Sequence, residues 1–64
     1  MTGLEVARCA NGVTIVFERD AYGFWTLHDI DTDSGARIQS FEIGSDRVAD
    51  KLKPRRIANC GGPL

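Results

Sequence analysis

The chain reads as α+β: an antiparallel β-meander of four to five strands with one short C-terminal helix. Three observations predict it. Apolar and β-branched residues recur in four short runs before residue 44, turn sequences rich in Gly, Asn and Asp separate those runs, and the period changes after Gly44. A small five-stranded, SH3-like barrel is the alternative, and pairing between the first and last strands would distinguish it.

Leu4 to Ala10 forms the first strand and Val13 to Glu18 the second. Asn11-Gly12 joins them, because both residues accept the positive φ of a two-residue hairpin turn. Arg19 to Gly23 supplies the next turn, and Phe24 to Ile30 has the aromatic and β-branched content of a third strand. Short polar residues in Asp31-Thr32-Asp33-Ser34-Gly35 then reverse the chain into a fourth strand, Ala36 to Ile43. Ser45 or Asp46 can cap a helix of about two turns that Pro54 stops. Beyond it, Arg55 to Cys60 is consistent with a short fifth strand, and Gly61 to Leu64 with a frayed end.

Alternation names a core: Leu4, Val6, Val13, Ile15, Phe17, Trp25, Leu27, Ile38, Phe41, Ile43, Val48, Leu52 and Ile57. Ile38 and Phe41 differ in parity, so the fourth strand is expected to carry a bulge.

With 64 residues, 42% hydrophobic and 27% charged, the chain is one small domain, residues 1–64. A domain of this length buries only about 60% of the surface its unfolded chain exposes. That leaves little rigid scaffold for a catalytic constellation, and an enzyme is not expected. Ser34, Ser40 and Ser45 have no recognisable nucleophile context, and there is no glycine-rich phosphate loop. No cofactor is implied. The first eight residues carry an acid, Glu5, and lack the apolar run of a secretory signal, and no stretch is long enough to span a bilayer, so a cytoplasmic protein is expected. Cys9 and Cys60, the only cysteines, are then expected to be reduced and to serve as small buried residues.

Two metal readings fail on spacing. Counted from Asp29, a calcium loop requires glycine at the sixth position and glutamate at the twelfth, where Ser34 and Ser40 stand. His28, Cys9 and Cys60 show none of the close spacing of zinc ligands.

Charge placement is the informative feature. Residues 18–50 hold eight acids against three bases, while residues 51–56 hold four bases and no acid, so a net charge of −1 hides a dipole. Glu18, Asp20, Asp29, Asp31, Asp33 and Glu42 are the candidate protein-binding residues, with the ordinary alternative that acids on strand ends serve solubility. Asp29, Asp31 and Asp33 recur with period two, which places them on one face of a strand, and the acidic surface divides into two patches if Glu18 and Asp20 lie near Tyr22 and Phe24. The expected function is a non-enzymatic interaction protein that regulates or inhibits a larger partner, one with a basic surface such as a nucleic-acid-binding machine. Stand-alone chains of this size that block host or defence machinery are frequent in phages and mobile elements, anti-CRISPR inhibitors among them. That analogy rests on size alone, since no motif of such a family is present. The alternative is a small β-barrel nucleic-acid-binding protein using the basic C-terminal segment Lys51, Lys53, Arg55 and Arg56, against which stands a pI near 5.6.

Overall fold

A computed structural model describes residues 3–60. Strands β1 (Gly3–Arg8), β2 (Val13–Arg19), β3 (Trp25–Asp31) and β4 (Arg37–Gly44) pair antiparallel in sequence order, and helix α1 (Asp46–Asn59) follows. The meander is as the sequence predicts. β1 and β4 are the two edges of an open sheet, so the barrel alternative is not realised. The expected fraying at residues 61–64 lies outside the described residues.

The first hairpin departs from expectation by one residue. A two-residue Asn11-Gly12 turn would set Val6 opposite Phe17. Instead Arg8 pairs with Thr14 and Val6 with Val16, leaving a three-residue loop closed by Cys9 N–H donating to Val13 O at 2.8 Å. Gly12 takes φ 86°, the left-handed position that ends such a loop. A one-residue slip moves every side chain of a strand to the other face. Leu4 and Val6, expected in the core, therefore lie on the uncovered face at 66% and 56% exposure.

β4 carries the expected bulge. Its register against β3 shifts between Asp29 and Ile30, and again between Trp25 and Thr26. Ile38 falls at the first irregularity and is exposed, which removes it from the core list, whereas Phe41 and Ile43 pack against the core.

The helix is the largest correction. It runs 14 residues through Pro54, and no fifth strand forms at Arg55 to Cys60. Proline at this position removes the hydrogen bond to the carbonyl of Asp50. The downstream turns are held by other contacts: Arg56 reaches into the sheet, and Asn11 Nδ2 donates to Cys60 O at 2.9 Å. Cys60 closes the helix in a left-handed conformation, φ 48°, with its N–H on Arg56 O. At the other end Ser45 stands at the N-cap without a side-chain cap bond, and Asp46 turns its carboxylate to the sheet.

The helix also presents a different face from the one its apolar residues suggest. Val48 and Ile57 are exposed and Leu52 is half-buried, while Ala49 and Arg56 are buried. Ile15, Phe17, Trp25, Leu27 and Ala49 form the core, with Cys9, Val13, Phe41 and Ile43 around it. Only one helical side chain in that core is apolar, so polar contacts do much of the docking. Asp46 accepts from Arg19 Nε at 2.9 Å and from the Trp25 indole at 2.6 Å. Lys53 Nζ sits 3.9 Å from the centre of the Trp25 ring and bonds Glu5 at 2.7 Å. Arg56 Nη2 donates to Asp29 Oδ2 at 2.7 Å inside the protein.

Candidate functional site

The sheet places the candidate acids at three separate locations. Glu18 and Glu42 flank Thr26 in one cross-strand row on the uncovered face, and Asp20 begins the β2–β3 turn beside them. Asp31 and Asp33 lie at the opposite end of β3, where Asp31 Oδ2 accepts from the Ser34 hydroxyl at 2.7 Å and Asp33 is exposed at the tip. Asp29 is on neither surface. It is 1% exposed, shares its face of β3 with Trp25 and Leu27, and is held by Arg56 and by Gln39 Nε2 at 2.5 Å. The expectation of three outward-facing aspartates is therefore corrected: Asp29 belongs to the interior.

The turn near Asp20 is built tightly. Its Oδ1 accepts from the amides of Tyr22 at 2.9 Å and Phe24 at 3.0 Å, its own N–H donates to Phe24 O, and its carbonyl accepts from Gly23. An aspartate at the first position of a turn makes this local bond readily. Gly23 has φ 86°, and a Cβ there would stand 3.2 Å from Arg19 Nη2, so no side chain fits without displacing that guanidinium. The turn holds Tyr22 out at 88% exposure and Phe24 at 59%. Two shallow clefts at this end share Asp20 and Thr26. One, of about 360 Å³, is lined by Asp20, Phe24, Trp25, Thr26, Glu42 and Gly44. The other, of about 630 Å³, runs past Leu4, Glu18 and Ala21 to the same Asp20 and Thr26. This end of the molecule thus combines two solvent-facing aromatic rings, carried on a hydrogen-bonded turn, with three carboxylates. The aromatic pair was present in the sequence, but the strength of the turn that displays it depends on the Asp20 side chain.

The uncovered face carries one further polar line. His28 Nδ1 lies 2.6 Å from Ser40 Oγ, and Nε2 lies 3.2 Å from Glu18 Oε1. Strand register brings the three together, since His28 pairs with Ser40 and stands beside the Glu18 row. Ser40 and Glu18 are exposed and the line lies on the sheet, where Glu18 alone of the three also borders a cleft. It orders the face and orients Glu18.

The basic run is divided by the helix. Arg56 is buried on Asp29 and Lys53 is engaged by Glu5 and Trp25, while Lys51 and Arg55 are exposed, one turn apart. The run presents two cations to solvent where the sequence suggests four.

Cys9 and Cys60 are free, half-buried and adjacent. The hydrogen bond with Cys60 is the main cause that pushes the Cys9 thiol up to about 11, with burial adding to it. His28 is on the other face of the sheet, so the three residues of the zinc reading do not converge. Among the described residues no three His, Cys, Asp or Glu side chains gather as a metal site. No helix among them is long and apolar enough to cross a membrane. No protein-family model, curated protein or solved structure matches the chain.

Proposed function

We propose that the chain is a non-enzymatic, cytoplasmic interaction module that regulates or inhibits a larger protein through the end of the sheet carrying Glu18, Asp20, Tyr22, Phe24 and Glu42. The observation that carries this reading is the Asp20-centred turn, which holds Tyr22 and Phe24 in solvent beside three carboxylates. Aromatic side chains contribute large contact area at a low entropic cost because they have only two rotatable side-chain torsions, and tyrosine is among the residues most enriched at binding hot spots. The carboxylates select a basic partner and steer its approach. A surface evolved to bind nucleic acid has that chemistry, with Glu18 and Glu42 taking the places of phosphates. The small size fits an inhibitor of the kind that phages and mobile elements encode.

The test is affinity capture from the source cell, followed by titration of the captured protein at two salt concentrations. Tyr22→Ala with Phe24→Ala is expected to weaken binding by at least about tenfold. Glu18→Gln with Glu42→Gln is expected to weaken it less and to flatten its salt dependence. Binding indifferent to both double variants overturns the reading. The nucleic-acid alternative now rests on Lys51 and Arg55, and salt-dependent binding to DNA or RNA that Lys51→Ala with Arg55→Ala abolishes would favour it instead.

A further inference from the structure

β1 is an edge strand that is ready to pair. Cys9 N–H donates to Val13 O, and alternation along the β1–β2 register gives Ala7, Glu5 and Gly3 the same inward role. The amides and carbonyls of Leu4, Val6 and Arg8 therefore point away from the sheet. The other edge is different, because β4 is interrupted by two irregularities, a device that blunts strand edges. β1 has six residues in unbroken register and contains neither proline nor a bulge. Its one acid, Glu5, is engaged by Lys53.

The uncovered face shows what fits this edge. Three cross-strand rows cross it: Leu4, Glu18, Thr26, Glu42; then Val6, Val16, His28, Ser40; then Arg8, Thr14, Ile30, Arg37. One outer row is acidic, the other is basic, and the middle row is apolar where it meets β1. A two-fold axis through Val6 exchanges the outer rows. It sets Val6 opposite Val6 of a second copy and Leu4 opposite the second copy's Arg8. These are pairs of outward-pointing residues, as the hydrogen-bond phase requires. The acidic row of each copy then continues into the basic row of the other, with Glu18 two strands, roughly 10 Å, from the second copy's Arg8. Long side chains span that distance above Leu4.

We propose that the chain self-associates by antiparallel pairing of β1 with β1 of a second copy, Val6 against Val6, forming one continuous sheet of eight strands. Pairing covers Leu4 and Val6, completes the hydrogen bonding of the edge and joins opposite charges at both ends of the seam. Glu18 serves both this seam and the partner-binding reading above, whereas Asp20, Tyr22, Phe24 and Glu42 lie outside β1 and β2, so Val6→Lys tests the seam without touching the partner-binding residues.

Sedimentation of the full chain from micromolar to near-millimolar concentration tests it. The mass is expected to rise from one chain to two. Val6→Lys sets two ammonium groups face to face and is expected to leave a monomer. Arg8→Glu is expected to weaken association about tenfold, and Arg8→Glu with Glu18→Arg to restore it. All three positions are exposed or at the surface of the separate chain, and an unchanged near-ultraviolet signal from Trp25 verifies that each variant is folded. Hydrogen exchange supplies a reading on the unmodified protein, in which the Val6 amide becomes protected as concentration rises and the Ser40 amide on β4 does not. A monomer at every concentration overturns the proposal. So does a dimer indifferent to Val6→Lys and Arg8→Glu, or one that protects Ser40 in place of Val6.

Discussion

Arg56 and Asp29, 27 residues apart in sequence, meet at 2.7 Å with each side chain at most 2% exposed. An ion pair so thoroughly removed from water couples the last turn of the helix to the centre of the sheet. Asp29 Oδ2 also accepts from Gln39, whereas Oδ1 has no hydrogen-bond partner.

Removing one member of the pair should be severe. Arg56→Ala leaves a buried carboxylate without its countercharge, a loss of about 3–5 kcal/mol. A domain of this length has a total stability of roughly 3–10 kcal/mol. Urea denaturation should therefore find the Arg56→Ala midpoint sharply lowered, with roughly a third or more of the total stability lost. Asp29→Leu with Arg56→Met, which replaces both charges with apolar volume, should recover most of the loss. A wild-type-like midpoint for Arg56→Ala would contradict the buried pairing.

The contacts of Asp46 predict an acid limb. Its carboxyl is held below the usual value of 3.8, first by the hydrogen bond from Arg19 and then by that from the Trp25 indole. A lowered folded-state pKa means that this contribution is complete above the unfolded value and is lost as pH falls through the folded one. Trp25 fluorescence followed from pH 5 down to about pH 2 should show a transition that Asp46→Asn shifts or removes. An acid transition identical in both proteins would assign the limb to other carboxylates.

The paired thiols predict slow chemistry. The Cys9 thiol is raised from 9.0 to about 11, mainly by Cys60, so the folded chain favours its neutral form. The sign is opposite to that of Asp46: the stabilising contribution holds below 9.0 and is lost as pH rises through about 11. Thiolate is the reactive species. Native-state alkylation read by mass spectrometry should leave Cys9 unmodified at neutral pH long after an unfolded control is labelled, and Cys60→Ala, which removes the hydrogen-bond partner, should accelerate it. Equal rates in native and unfolded protein would contradict the shift.

Much of the meander was legible because turn chemistry and β-branched runs are local signals. Asn11-Gly12 marked the first hairpin but could not fix whether two or three residues formed its loop, and that single residue decided the side on which Leu4 and Val6 lie. Pro54 was a sound local stop signal overridden by contacts that no local window contains: Asn11 with Cys60, and Asp29 with Arg56. Asp29 illustrates a signal that was present and outweighed. It lies two and four residues after Leu27 and Trp25, so strand parity alone placed it among the core residues. Its charge argued for the surface. The candidate acidic end was legible in Glu18, Asp20 and Glu42, while the exposure of Tyr22 and Phe24 depends on the backbone hydrogen bonds of the turn.

The bond between Asn11 and Cys60 joins residues 49 apart, whereas each hairpin of the meander closes only a short loop. Local closures cost little entropy and occur quickly; distant ones must wait for much of the chain to be placed. The topology therefore favours a sheet that zips up hairpin by hairpin, with docking of Arg56 and Cys60 expected late in folding. In that order Phe17, Trp25 and Leu27 stay bare until the helix docks, and the sheet is at its most adhesive just before it does.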